Sequence, residues 1–176
     1  MKYLVAGITS IILISLLVIF GIPTQSTTNA EYLRIHIRAN SNTTIDQNVK
    51  YKVKDAVVDY MIPLLSTCEN KEESMRVVST NLNNIEKVAE FVLEKNGFYY
   101  NATAKIANEK FPTRTYGDLT LESGFYDALI LELGSGSGDN WWCVVYPPLC
   151  FVNGSSNVSI YKSRILEILQ KWGFMG

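Results

Sequence analysis

The chain's only histidine, His36, sits between two arginines in the run Arg34-Ile35-His36-Ile37-Arg38. Residues two apart on a strand share a face, so this spacing gathers two guanidiniums and an imidazole into one basic patch. An imidazole can move protons near neutral pH. Catalysis would need a partner for it, and no nucleophile motif such as Gly-x-Ser-x-Gly is present. His36 therefore reads as an interface or structural residue. Carboxylates are the second candidate, because a pair of them can do acid–base work. Asp46, Asp55 and Asp59 fall in one helical stretch, the last two a single turn apart, but Lys50, Lys52 and Lys54 interleave with them. That pattern favours a solvated, ion-paired helix face. Gly134-Ser-Gly-Ser-Gly138 has the composition of a phosphate cradle. It joins two strands with no helix after it, so a flexible hairpin turn is expected instead.

Three cysteines remain: Cys68, Cys143 and Cys150. In an oxidising compartment Cys143 and Cys150 can close a short loop across Pro147-Pro148, leaving Cys68 as the thiol that labels in the native protein. Metal binding is the weaker reading, since His36 is distant in sequence and no Cys-x-x-Cys occurs. No metal and no cofactor are expected, and net charge −1 leaves no basic footprint for nucleic acid.

These groups need elements to hold them. Tyr32–Arg38 alternates, with Leu33, Ile35 and Ile37 on one face and Tyr32, Arg34, His36 and Arg38 on the other, as in a half-buried strand. Thr44 to Gln47 fits a capping box, Thr44 capping and Gln47 reaching back. The helix that follows carries Val49, Val53, Val57, Tyr60, Met61 and Leu64 as a stripe and is bent or ended at Pro63. A second helix runs from about 71 to 95, where Asn96-Gly97 stops it. Strands are expected over 98–108, 125–134 and 141–146, a loop over 108–124, and a last helix over about 158–172. The fold class is α+β: a small, mostly antiparallel four-stranded sheet with three helices packed on one face, in the order β-α-α-β-β-β-α. The other sheet face is expected to be open to water or to a partner. Because side chains alternate, Trp141 and Trp142 must fall on opposite faces. A tryptophan on the open face gains about 1.5–3 kcal/mol or more when covered, as binding hot spots do. The N-terminal tail or the 108–124 loop is the alternative cover for it.

The first thirty residues are distinct. Lys2 is the only charge before Glu31, Tyr3 to Ile22 is almost wholly apolar, and "PTQSTTNA" follows. That is the layout of a secretory signal, and the apolar run is also long enough to cross a bilayer. A cleaved signal and an uncleaved anchor both stay open. Either puts 31–176 on the far side of the membrane as one extracytoplasmic domain, with 15 basic and 17 acidic side chains.

"HIRANSNTTIDQNVKYKVKDAV" (36–57), "FPTRTYG" (111–117), "SGFYDAL" (123–129) and "GSGDNWWCVVYPPLC" (136–150) resemble, in order, the signature blocks of the stage II sporulation protein R family. The chain departs from that pattern at Glu122-Ser123, where a Pro-Ala-Gly-like turn is expected, and in a short tail after Cys150. The resemblance implies a protein made in the forespore and exported into the space between forespore and mother cell. There it would activate a membrane-embedded aspartic protease of the mother cell, which then cleaves a pro-sigma factor. It would be a signal and not an enzyme. Partner contact is expected at His36, Arg38, Asn40, Asp46, Gln47, Tyr116, Trp141 and Trp142, with the Cys143–Cys150 loop shaping the surface. The rival readings are a secreted cell-wall hydrolase using Asp46 and Asp55, and an anchored structural or adhesive domain.

Overall fold

A computed structural model describes residues 31–117 and 119–151. The N-terminal apolar segment and the helix expected over 158–172 lie outside the described residues. Among the described residues no helix is long and apolar enough to cross a membrane.

The order is β1 (Leu33–Arg38), α1 (Thr44–Leu65), α2 (Lys71–Thr80), α3 (Leu82–Lys95), β2 (Ala102–Phe111), β3 (Arg114–Tyr116), β4 (Leu119–Leu121), β5 (Gly124–Leu133) and β6 (Asn140–Tyr146), then a 3-10 turn at Leu149–Phe151. The main sheet has four strands in the order β2-β5-β1-β6, and β3 and β4 form a separate two-stranded ribbon. The sheet is mostly antiparallel, but its central pair, β1 and β5, is parallel. The class is α+β as expected.

The helices cover one face. Ile35, Ile37, Leu129, Leu131, Leu133, Cys143 and Val145 point into one core with Val49, Val53, Val57, Met61, Ile62, Val78, Ile85, Ala89 and Leu93. The expected helix over 71–95 is two helices. Thr80 Oγ1 donates to the carbonyls of Arg76 and Val77, and Asn81 Nδ2 donates to the Val77 carbonyl at 2.8 Å. These side chains compete with the backbone ladder, and the Asn81 carbonyl opens α3 by accepting from Ile85 N–H at 2.9 Å. The first cap also shifts by one residue. Thr43, not Thr44, is the N-cap, and it accepts from Asp46 N–H at 3.4 Å. Gln47 does not reach the cap; its amide donates to the Ser41 carbonyl at 2.9 Å. Pro63 lies in the last turn of α1 and supplies no N–H to the helical ladder; the helix stops two residues later at Leu65.

β2 begins and ends later than the aromatic alternation suggested, so Phe98 and Tyr100 precede it, partly buried against the helix-side core. As an edge strand it has amides with no strand beside them. Two are taken by α3: Glu86 Oε1 accepts from Ala104 N–H at 2.7 Å and Glu90 Oε1 from Ala102 N–H at 3.3 Å.

A disulfide joins Cys143 to Cys150, with Cα atoms 5.9 Å apart. It ties β6 to the turn after it. Reducing this short loop should cost about 2.5 kcal/mol on the chain-entropy model, read as a drop in the urea midpoint with added reductant. Cys68 is free and buried, 1% exposed. The expectation that it labels in the native protein is therefore corrected: burial shields the thiol and pushes its pKa up, so reagent should reach it only on unfolding.

Candidate functional site

The second sheet face is where the structure departs most from expectation. It is not open. β1 is buried on both faces, because the supposed 108–124 loop is the end of β2 plus the β3–β4 ribbon. β5 pairs with β1 only through Ala128–Glu132, yet it pairs with β2 all the way to Gly124. The β2–β5 ribbon thus runs past the end of β1, and its far end folds back over that face. Glu109 and Phe111, opposite Tyr126 and Gly124, reach His36 and Trp142 in this way. A second apolar cluster results, built from Tyr32, Phe111, Leu121, Tyr126, Ala128, Ile130 and Val144, with Tyr116, Leu119 and Trp142 at its margin.

Within this layer the basic run of β1 divides into three environments. Arg38 is part-exposed and ion-paired to Glu132 at 2.5 Å and to Glu109. Lys105 closes on Glu132 at 3.4 Å, and Glu109 Oε2 lies 3.1 Å from His36 Nδ1. A line of alternating charge therefore crosses the sheet from Lys105 to His36. His36 itself is 2% exposed and stacks on Trp142, ring centroids 3.6 Å apart. Burial pulls its pKa down, against the opposing effect of the hydrogen bond it donates to Glu109. Because a carboxylate only accepts, the neutral ring donates from Nδ1 and leaves Nε2 bare. Nε2 has no hydrogen bond of good geometry, Asn140 being the polar side chain that bears on it.

Arg34 is fully buried, with its guanidinium carbon 4.3 Å from the Phe111 ring centre, 4.8 Å from Tyr126 and 5.6 Å from Tyr116. Tyr116 Oη accepts from Nη2 at 2.5 Å, and the Cys143 carbonyl is 3.5 Å from Nε. Among the described residues no carboxylate pairs with it, and Nη1 has no hydrogen bond of good geometry, the Tyr126 hydroxyl being a second polar group that bears on the guanidinium. Burial lowers its pKa, opposed by the two tyrosines; an arginine stays charged regardless.

The tryptophans divide as alternation required. Trp141 packs on the helix-side core with Lys54 Nζ 5.6 Å above it, and Trp142 faces the second layer, half-exposed.

Asn40, Asp46 and Gln47 lie apart from this layer, at the ends of β1 and β5, where they hold the chain together. Asp46 is buried and accepts from Ser41 Oγ at 2.5 Å, Tyr100 Oη at 2.8 Å and Asn40 Nδ2 at 3.0 Å. Burial raises its pKa, but these hydrogen bonds outweigh that and hold it below the ordinary value. Asn40 binds the glycine loop, its Oδ1 accepting from Ser135 N–H at 3.0 Å and its carbonyl from Ser135 and Ser137 hydroxyls at 2.7 and 2.8 Å. Lys50, 1% exposed, ties Gln47 to the Asp139 carbonyl. The expected flexible turn at 134–138 is thus an anchored one. Its glycines are needed for contact: a Cβ on Gly134 would strike the Asn40 side chain, and one on Gly138 the Ser41 carbonyl.

Asp46 and Asp55 are nine residues apart on α1, about 13.5 Å along its axis, beyond the spacing of paired hydrolytic carboxylates. Asp55 is exposed and paired to Lys54 at 2.5 Å. Among the described residues no three His, Cys, Asp or Glu side chains gather as a metal site.

Sequence reasoning grouped Arg34 with His36 and Arg38 in an open basic patch, whereas it is fully buried, and it missed Glu109, Phe111 and Tyr126. A charge at the centre of an apolar strand was the available signal for Arg34. The alternating "FPTRTY" and "LTLESGFY" were the signal that the loop is built structure.

No solved structure matches the chain. The stage II sporulation protein R family model matches residues 29–156. Stage II sporulation protein R of Bacillus subtilis (strain 168) is 33% identical over 139 residues, which is 79% of this chain and 62% of that protein. The chain therefore spans less than two thirds of the relative's length. With the family model covering most of the chain and its quoted blocks in order, this protein belongs to the stage II sporulation protein R family.

Proposed function

We propose that this protein is an exported sporulation signal that docks on the outward part of a membrane-embedded aspartic protease and favours its active arrangement. Family membership supplies the class of process. The observation that carries docking is Trp142: a half-exposed indole, stacked on a buried histidine at the margin of a built aromatic layer. Such a side chain is ordered before a partner arrives, so little conformational freedom is lost on association. The part-exposed charges of Arg38, Glu109 and Glu132 lie beside it and supply complementarity and register. Residues 1–30 direct export or anchoring, and the domain works in the space between forespore and mother cell. Binding acts by differential affinity for the protease state that cleaves the pro-sigma factor.

Asn40, Asp46 and Gln47 enter this reading as supports that hold β1 and the glycine loop, while Arg38, Tyr116 and Trp142 meet the partner. The test is a pull-down of the exported protein with the protease's outer segment. Wild type should form a complex at tens of micromolar, and Trp142→Ala should weaken it at least about tenfold. No wild-type complex would count heavily against the proposal. Fragments released from peptidoglycan, and lost on Asp46→Asn, would favour the hydrolase reading instead.

A further inference from the structure

We infer that Arg34 is a built receptor for a carboxylate, presented by an acidic side chain of the docking partner. The argument starts from an imbalance. The two cations beside it on this face have their anions: Arg38 has Glu109 and Glu132, and Lys105 has Glu132. Arg34 has none among the described residues, although it is the most deeply buried of the three. A buried charge without a counter-charge is costly to keep, and buried polar groups are normally hydrogen-bonded. Here Nη1 has no hydrogen bond of good geometry and neither, two residues along the same face, does His36 Nε2.

The surroundings match a carboxylate receptor. Three aromatic rings hold the guanidinium plane, and a fork of fixed N–H groups suits a planar two-oxygen anion. The surrounding apolar atoms exclude water, which strengthens a charge-assisted bond. Tyr116 and Trp142, both half-buried, are the aromatic members of the cluster that reach solvent, and an anion would approach past them. The Tyr116 hydroxyl on Nη2 occupies part of the donor fork until an anion arrives. The inference rests on the docking proposal only for the source of the carboxylate; the receptor itself can be tested without the protease.

The probe is acetate, titrated into the exported protein at constant ionic strength against chloride. Tryptophan fluorescence should change saturably with acetate and not with chloride. The Arg34 Nε–H cross-peak of the wild-type protein should move with the same midpoint. Arg34→Met should weaken acetate about tenfold or more, the worth of one charge-assisted hydrogen bond. Tyr116→Phe should tighten it, since it frees a second donor. A wild-type cross-peak that does not move, or an equal response to chloride, overturns the inference, and so does an unchanged midpoint in Arg34→Met. Acetate binding with no protease complex would sink the docking reading alone; a complex without acetate binding would sink this one alone.

Discussion

Asp46→Ala should destabilise the fold by about 3 kcal/mol, the scale for losing a buried charged acceptor with several donors. The carboxylate is the common acceptor of Ser41, Asn40 and Tyr100, which come from the turn after β1 and the entry to β2. Its removal leaves the Tyr100 hydroxyl unsatisfied and frees Asn40, on which the 134–138 loop is seated. The pH dependence follows from the same contacts. The folded carboxyl has a pKa below 3.8, the unfolded value, so the unfolded chain takes up the proton first. The contribution of Asp46 is whole above about pH 4 and is lost as pH falls through the folded pKa. Asp127, held low by Lys71 and Asn108, adds to the same acid limb. Urea midpoints measured from pH 7 down to about pH 3 should fall for wild type. The fall should be shallower for Asp46→Asn; parallel curves would refute the assignment.

Phe111→Ala should cost about 3–5 kcal/mol, the range for a fully buried aromatic. Phe111 is 0% exposed and meets four side chains of the second layer. Its ring centroid lies 4.7 Å from that of Trp142, 5.7 Å from Tyr126 and 5.9 Å from His36, with the Arg34 guanidinium above it. Truncation removes apolar burial and at the same time opens a void beside a charge. Phe111→Leu keeps most of the volume and should lose far less. The effect should also reach the partner, because Trp142 loses the ring that sets its angle. Chemical denaturation gives the first number, and the pull-down of Phe111→Leu against wild type gives the second. An alanine variant within about 1 kcal/mol of wild type would mean that Phe111 is not packed as described.

How far the sequence could be read depended on the range of the interaction. β1 was legible because alternation is local, and so was the division of Trp141 from Trp142. α1 was legible through its stripe and misplaced at its cap by one residue, since Thr43 and Thr44 offer the same hydroxyl and only the backbone at Thr43 is extended. The break at Asn81 was hidden because the apolar stripe continues through it. The parallel β1–β5 pair and the cover on the second face were out of reach. Both depend on which strands lie side by side, and no local pattern in Phe111–Tyr126 announces that it will turn back over Arg34. The same limit explains the site. Asn40 and Asp46 stand out in the family's blocks, but the structure spends them on the loop joining β5 and β6. Arg34, in the first strand, reads as one more surface charge until its neighbours are known.

The two glutamates that α3 lends to β2 have a consequence for crowding. On the proposed function the protein works in a narrow compartment, and at the high local concentration reached there bare strand flanks invite copies to stack side by side. With Glu86 and Glu90 occupying the amides of Ala104 and Ala102, the first part of that flank has fewer donors to offer a neighbour. Pairing of a second copy along this stretch is thereby discouraged.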